Sequence, residues 1–325
     1  MKRDYLIMLV LLAALIVAPM FIYPVFLMKL LCFALFACAF NLLLGYTGLL
    51  SFGHAAFFGG SAYITGHLVR NGFDINFTAP GFLKFISLSV DTAPLTPELG
   101  LLAGTAVAAA LGFLVGGLAI RRAGIYFAMI TLALAQMVYF LALQFPFTGG
   151  EDGLQGVPRG RLFGIFDLTQ TYTMYFFVLA IFCIGFWIIY RAIHSPFGQV
   201  LKAIRENEPR AISLGYDVDK YKLVAFVLSA ALSGLAGSTK TLVFQLASLT
   251  DVHWHMSGEV VLMTLLGGMG TVFGPIAGAA IVVGLQNYAA GLGEWVTVIT
   301  GAIFVMCVLA FRRGVVGEIG ALFKK

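Results

Sequence analysis

Residues 234–241 read Gly-Leu-Ala-Gly-Ser-Thr-Lys-Thr, one substitution short of a phosphate-binding loop. That loop needs a second glycine just before its lysine so that backbone N–H groups can cradle phosphates. Thr239 stands at that place, an apolar helical run precedes it instead of a strand, and no acidic strand end for magnesium follows. ATP binding by this chain is therefore not expected. Lys240 still needs an account, because a lysine at mid-bilayer costs about 2.5–3.5 kcal/mol on insertion scales. It must snorkel to an interface, pair with a carboxylate such as Asp251 or Glu259, or touch substrate.

Other chemistry-bearing residues are scattered. His253 and His255 are two apart, point different ways on a helix, and have no third ligand at helical spacing. They fit interfacial anchoring beside Trp254, and no metal site is expected. His54 sits in a glycine-rich stretch and reads as a hydrogen-bonded helix contact or a proton carrier. No nucleophile elbow supports a Ser/His/Asp site, so no catalytic residue is assigned. The acidic loop 148–158, Thr-Gly-Gly-Glu-Asp-Gly-Leu-Gln-Gly-Val-Pro, lacks the ligand spacing of a calcium loop. It reads as a surface turn or as a dock for an external partner.

The densest polar segment is 191–222, which holds ten of the chain's 35 charged residues. Within it Val200, Leu201, Ile204, Ala211 and Ile212 fall near helical spacing, while Lys202, Arg205, Glu206, Glu208 and Arg210 face elsewhere. Pro209 ends one helix and opens another, and Gly215 stops the second. Two such short helices are not stable alone and must pack on something. A solvated loop, a helix lying on lipid and a docking helix for a cytoplasmic protein all remain open, and the apolar stripe favours docking.

The elements around this island are apolar. The chain has 325 residues, 60% hydrophobic and 11% charged, with a mean hydropathy of +0.97. Soluble domains carry about 25% charged residues, so the chain is expected to be an all-α, polytopic integral membrane bundle forming a single transmembrane domain over 1–325. Spans of about 20 residues are expected at 5–23, 26–44, 46–68, 99–119, 124–144, 172–190, 223–247, 257–272, 275–290 and 295–311. That makes about 8–10 transmembrane helices, with a polar segment at about 193–221 and outer loops at about 69–98 and 145–171. The first run, after Lys2 and Arg3, lacks a small-residue cleavage site and reads as a retained helix. Cys32, Cys38, Cys183 and Cys307 lie inside apolar runs and read as packing residues.

Lys and Arg set the orientation. An inside N-terminus places Lys2, Arg3, Arg121, Arg122, six island cations, Arg312, Arg313, Lys324 and Lys325 inside, fourteen in all. Only Lys29, Arg70, Lys84, Arg159 and Arg161 fall outside, so both termini and the island are expected to be cytoplasmic. Asp74, Asp91, Glu98, Glu151, Asp152 and Asp167 then lie outside. Nothing in this charge pattern calls for nucleic acid. Two stretches, 45–66 and 267–278, are glycine-interrupted, as broken helices beside a transport path are. The four-residue spacing of Gly270, Gly274 and Gly278, and of Gly112 and Gly116, equally suits close helix packing.

Several segments together resemble a known family. Asn41-Leu42-Leu43-Leu44-Gly45-Tyr46-Thr47-Gly48 with Ser51-Phe52-Gly53-His54-Ala55 comes first. Arg122-Ala123-Gly124-Ile125-Tyr126-Phe127-Ala128-Met129 and Thr148-Gly149-Gly150 follow. Next come Arg205-Glu206-Asn207-Glu208 with Leu214-Gly215, and then Ser257-Gly258-Glu259 running on to Gly267-Gly268-Met269-Gly270-Thr271 and Gly274-Pro275. In this order they are similar to the permeases of branched-chain amino-acid ABC importers, the longer M-type subunit in particular. The resemblance implies an inner-membrane permease, not an enzyme and without cofactors, that pairs with a second homologous permease. It implies two cytoplasmic ATPase subunits and an external periplasmic amino-acid-binding protein as further partners. It implies coupling to the ATPases through Arg205, Glu206, Asn207, Glu208, Leu214 and Gly215. Translocation-path candidates are Asn41, Ser51, Gly53, His54, Lys240 and Glu259. Ser238-Thr239-Lys240 departs from the apolar residues expected there, which leaves cargo open between branched-chain amino acids and urea or short-chain amides. An ion-coupled secondary transporter is the alternative outside the family.

Overall fold

Apolar runs punctuated by proline and glycine set the helix boundaries. In a computed structural model the described residues are 2–72, 77–78, 87–88, 94–122, 124–289, 291, 298–299, 301–302, 305–306 and 314–322. α1 (Lys2–Val17) runs into a tight turn at Ala18–Met20, and Pro24 opens α2 (Pro24–Thr47), which ends at Gly48 with φ +76°. α3 (His54–Asn71), α4 (Pro97–Ala119), α5 (Ile125–Gln144) and α6 (Thr171–His194) follow. The polar island forms α7 (Pro196–Glu206) and α8 (Glu208–Ser213). After it come α9 (Val218–Phe244), α10 (Leu249–Val252), α11 (Trp254–Gly267), α12 (Gly274–Tyr288) and α13 (Gly314–Leu322). Three two-residue antiparallel pairings complete the described structure: β1 (Phe77–Thr78) with β2 (Ser87–Leu88), β3 (Leu154–Gln155) with β6 (Leu246–Ala247), and β4 (Arg161–Leu162) with β5 (Phe166–Asp167).

The protein is a polytopic, all-helical membrane bundle. Five described helices, α2, α4, α5, α6 and α9, are long and apolar enough to cross a bilayer. α2 is the axis of the bundle, buried from Leu31 through Thr47 and packed by α6, α9, α11 and α12. α3, α4 and α9 pack on one another as a threesome. Cys32 and Cys38 are buried in α2, as expected of packing residues.

Nine of the ten expected spans overlap a helix, not all over their full length; 295–311 falls largely outside the described residues. So do Lys84, Asp74, Asp91, Cys307, Arg312, Arg313, Lys324 and Lys325, and most of the loop expected at 69–98. Three spans differ from expectation. The stretch 46–68 is not one span but is broken, in keeping with its glycine interruptions: α2 continues to Thr47, residues 48–53 are non-helical, and α3 starts at His54. The expected spans 257–272 and 275–290 are helices of 14 and 15 residues. At 1.5 Å per residue they rise only about 21–22 Å, short of a hydrocarbon core of about 30 Å. They pack on each other as a hairpin about a non-helical turn at 268–273.

Small residues bring the backbones together. A Cβ on Gly112 would lie 2.5 Å from Ala230 Cβ, and one on Gly116 would lie 2.9 Å from Phe226, which fuses α4 to α9. A Cβ on Gly237 would overlap the Phe58 carbonyl of α3, and one on Gly278 would overlap the Met263 carbonyl of α11. Such approaches are how helices associate in lipid, where burying apolar surface gives little. Gly237→Ala should therefore lower stability by about 1–3 kcal/mol through overpacking. Gly60→Ala, whose methyl meets only Leu111 at 3.9 Å, should raise it by up to about 1 kcal/mol through helix propensity. Thermal unfolding of the purified variants in detergent measures both.

Candidate coupling and translocation site

The island folds as its sequence indicates. Ser195 caps α7 by accepting from Gly198 N–H, and Asn207 closes α7 and caps α8 by accepting from Arg210 N–H at 3.1 Å. The chain leaves α8 through Gly215 at φ +87°. Ile204, Ala211 and Val218 form a small core, with Val200 and Tyr221 against it. Lys222 at the start of α9 reaches Glu208 at 2.6 Å and ties α8 to the bundle. At the exit Lys220, 2.7 Å away, donates to Asp217 and holds that carboxyl below its ordinary pKa.

Of the six coupling candidates, three are used internally. Arg205 donates to the Gly45 carbonyl at the end of α2, Asn207 caps, and Glu208 pairs with Lys222. Glu206, Leu214 and Gly215 are exposed, together with Arg210 and Tyr216. Ile212, expected on the buried stripe, is 57% exposed beside Leu214 at 67%. α8 has fewer than two turns and only Ala211 faces inward. The outer face of the island is thus apolar in its centre and charged around it.

The path candidates do not form one site. Four lie toward the island end of the bundle. Asn41, within α2, bonds to the backbone of Gly270 and Thr271 in the α11–α12 turn. Ser51 accepts from Gly53 N–H at 3.2 Å. Gly53 lies against Thr131 of α5, whose Oγ1 accepts from Phe52 N–H. His54 opens α3, fully buried among Phe40, Phe57 and Phe226, with Nε2 2.9 Å from Ser229 Oγ. Ser229 in turn donates to the Ala39 carbonyl, so His54 Nε2 carries the proton toward Ser229 and its Nδ1 faces no protein partner among the described residues.

The other two are held elsewhere, Lys240 near the C-terminal end of α9 and Glu259 two residues beyond Ser257 on α11. Lys240 contacts both Asp251 oxygens, at 2.6 and 2.5 Å, and Asp251 is 1% exposed. Asp251 also accepts from Ser248 N–H and Oγ in a capping box that starts α10. The pair therefore anchors the end of α9 to α10. Glu259 is not the partner of Lys240; it sits 3.6 Å from His255 on α11 and stays partly exposed. His253 caps α11 by accepting from His255 N–H. Near the end of α9 the 145–171 loop folds down: Thr148 donates to the Ala142 carbonyl, Arg70 to Gln155 O, and Arg159 to Val243 O.

Residues to which sequence reasoning gave no site role hold these pieces in register. Ser257 of α11 accepts from Ala55 N–H at 2.9 Å and so serves the open first turn of α3. Ser61 donates to Gly234 O at 2.7 Å, and Thr65 lies 2.8 Å from Ser238 Oγ. The signal that could have found the second set is the four-residue spacing of Ser61 and Thr65 on α3 and of Gly234 and Ser238 on α9, two small-residue contact faces. Residues 234–241 lie wholly within α9, where the N–H groups are spent on the helix.

Comparison with known proteins agrees with this architecture. The family profile for the permease component of branched-chain amino acid transport systems matches residues 23–308. The chain is 27% identical over 297 residues to the high-affinity branched-chain amino acid transport system permease protein LivM of Escherichia coli. That alignment covers 84% of this chain and 65% of the relative, so the chain spans a little under two thirds of the relative's length. It is 28% identical over 181 residues to the probable branched-chain amino acid transport permease protein LivM of Methanocaldococcus jannaschii, covering 50% of this chain and 49% of that one. It is 29% identical over 196 residues to the ribose import permease protein RbsC of Bacillus subtilis, covering 55% of this chain and 58% of that one. No solved structure matches the chain.

The Lys240–Asp251 pair can be tested apart from transport. Removing one partner of a buried pair leaves a bare charge and costs about 3–5 kcal/mol. Lys240→Met should therefore lower the unfolding temperature in detergent sharply. The Lys240→Met, Asp251→Asn double variant should recover most of that loss, because no net charge stays buried and the amide oxygen can still accept from Ser248.

Proposed function

This chain belongs to the permease family of branched-chain amino acid transport systems, and from that premise we propose that it carries branched-chain amino acids inward as one subunit of an ATP-driven importer. The chain would act as a single transmembrane domain in the inner membrane and form the path with a second, homologous permease. Two ATPase subunits would bind from the cytoplasm, and an external binding protein would deliver the amino acid at the opposite face. The excess of Lys and Arg on the island's side supports a cytoplasmic island and cytoplasmic termini.

One observation carries this reading. The island presents Glu206, Arg210, Ile212 and Leu214 outward, while Arg205, Glu208 and Lys222 fasten it to α2 and α9. A charged segment tied this firmly to the spanning helices, with an apolar exposed centre, suits a partner that pushes on it. Energy enters from that partner. Closing and opening of the ATPase pair would then shift the bundle between outward-open and inward-open states, each favoured by a different ligand.

Of the path candidates, Glu259 remains partly exposed and suits direct contact with cargo. Asn41, Ser51, Gly53, His54 and Lys240 act on the path through the helices they position. Branched-chain amino acids are favoured as cargo because that alignment covers 84% of the chain, whereas the ribose permease alignment covers 55%. Urea or a short-chain amide is the competing cargo within the family, since the binding protein sets specificity.

The test is uptake by the assembled complex in proteoliposomes with leucine, urea and ribose compared. Leucine uptake that depends on ATP and on the ATPase subunits is expected. In the Arg205→Ala, Glu206→Ala variant, uptake should fall about tenfold or more while the permease stays folded, a coupling loss of the usual 1–3 kcal/mol. Native uptake by that variant refutes the role of the island, and uptake by this chain alone points to an ion-coupled carrier.

A further inference from the structure

Three separate parts of the chain meet at the island end of α2. Asn41, 2% exposed, spends both ends of its amide on one turn: Nδ2 donates to Thr271 O at 2.9 Å, and Oδ1 accepts from Gly270 N–H at 3.0 Å. One helical turn further on, the Gly45 carbonyl accepts from the Arg205 guanidinium of α7. A Cβ on Gly45 would lie 2.7 Å from Gly270 N, and one on Gly270 would lie 3.0 Å from Arg205 Nη1. The island's guanidinium, the end of α2 and the α11–α12 turn therefore touch at one point.

The turn has little slack. Gly268 and Gly270 adopt positive φ, Thr271 Oγ1 donates to Gly268 O at 2.8 Å, and it accepts from Gly274 N–H at 3.1 Å. Gly314, at the start of α13, lies against Gly268 from the other side. The hairpin that this turn joins is short, closely packed through Gly278, and carries Glu259 toward its far end. A close-packed unit moves as a body and does not deform smoothly.

We propose that Asn41 is a positioning residue that passes movement of the island to the α11–α12 hairpin. Arg205 grips α2 at Gly45, and Asn41, four residues back on the same helix, holds the turn. Displacement of α7 is then delivered to the hairpin and to Glu259. This rests on the reading of the island as the ATPase dock and adds a route from the island to the path. A clamp that only stabilises the fold would hold the same residues together but would not link their effects on transport.

The experiment is a double-mutant cycle on the ratio of leucine moved to ATP hydrolysed, in the complete complex with its binding protein in proteoliposomes. Asn41→Ala and Arg205→Ala should each lower that ratio about tenfold and the double variant no further, because residues in one relay are non-additive. Asn41→Asp keeps the size and the acceptor for Gly270 N–H but loses the donor to Thr271 O. It should give an intermediate loss, and it serves as the partner in the cycle if Asn41→Ala does not assemble. Additive losses, about a hundredfold in the double variant, would overturn the relay. A loss in Arg205→Ala with none in Asn41→Ala or Asn41→Asp overturns the relay alone. A loss in Asn41→Ala with none in Arg205→Ala overturns the relay and the docking role of the island together.

Discussion

Backbone N–H and C=O groups in a bilayer must find partners within the protein. The structure depends on that constraint at the two places where its helices stop inside apolar sequence. At 48–53 the exposed groups are served by Ser51, by Thr131 of α5 and, in the first turn of α3, by Ser257 of α11. At 268–273 they are served by Asn41 of α2 and by Thr271 within the turn. Each break is thus satisfied partly by a helix far away in the chain, with separations of 202 to 230 residues for Ser257 and Asn41. The same bonds that make the breaks tolerable also tie the helices into one body.

Charge follows a second version of the same rule. Lys240 is tolerated in the last turns of α9 because Asp251 meets it with both oxygens, and Asp251 in turn caps α10. At the other end, Lys222 is buried against Glu208 and Arg205 reaches a backbone carbonyl. The two ends therefore differ in kind. One is a closed anchor that folds the 145–171 loop onto α9 and α10. The other is an anchored island whose free face offers charge around an apolar centre.

Much of this was legible in the sequence. Pro209 and Gly215 mark the island's two helices because each has one local conformational use, and the structure has them there, with Asn207 as the cap between. Apolar length marked nine helices. What was not legible came from distant partners. The glycines of 45–66 point to a broken helix and the break falls at 48–53, but its place was not legible, because the interruption is stable only where Thr131 and Ser257 serve it. The glycines of 267–278 likewise mark the α11–α12 turn, while the shortness of the two helices beside it was not legible. Lys240 had two carboxylates within reach in sequence, and only folding of α10 against α9 selects Asp251. Ile212 fits the helical stripe, yet α8 is too short to bury it.

The central claim is that the face around Leu214 is where an ATPase grips this chain. Hydrogen–deuterium exchange of the permease with and without its ATPase pair tests it most directly. The account predicts slowed exchange confined to about residues 203–217, with the far end at 246–255 unchanged. Unaltered exchange across the island, or protection only at the far end, would contradict it.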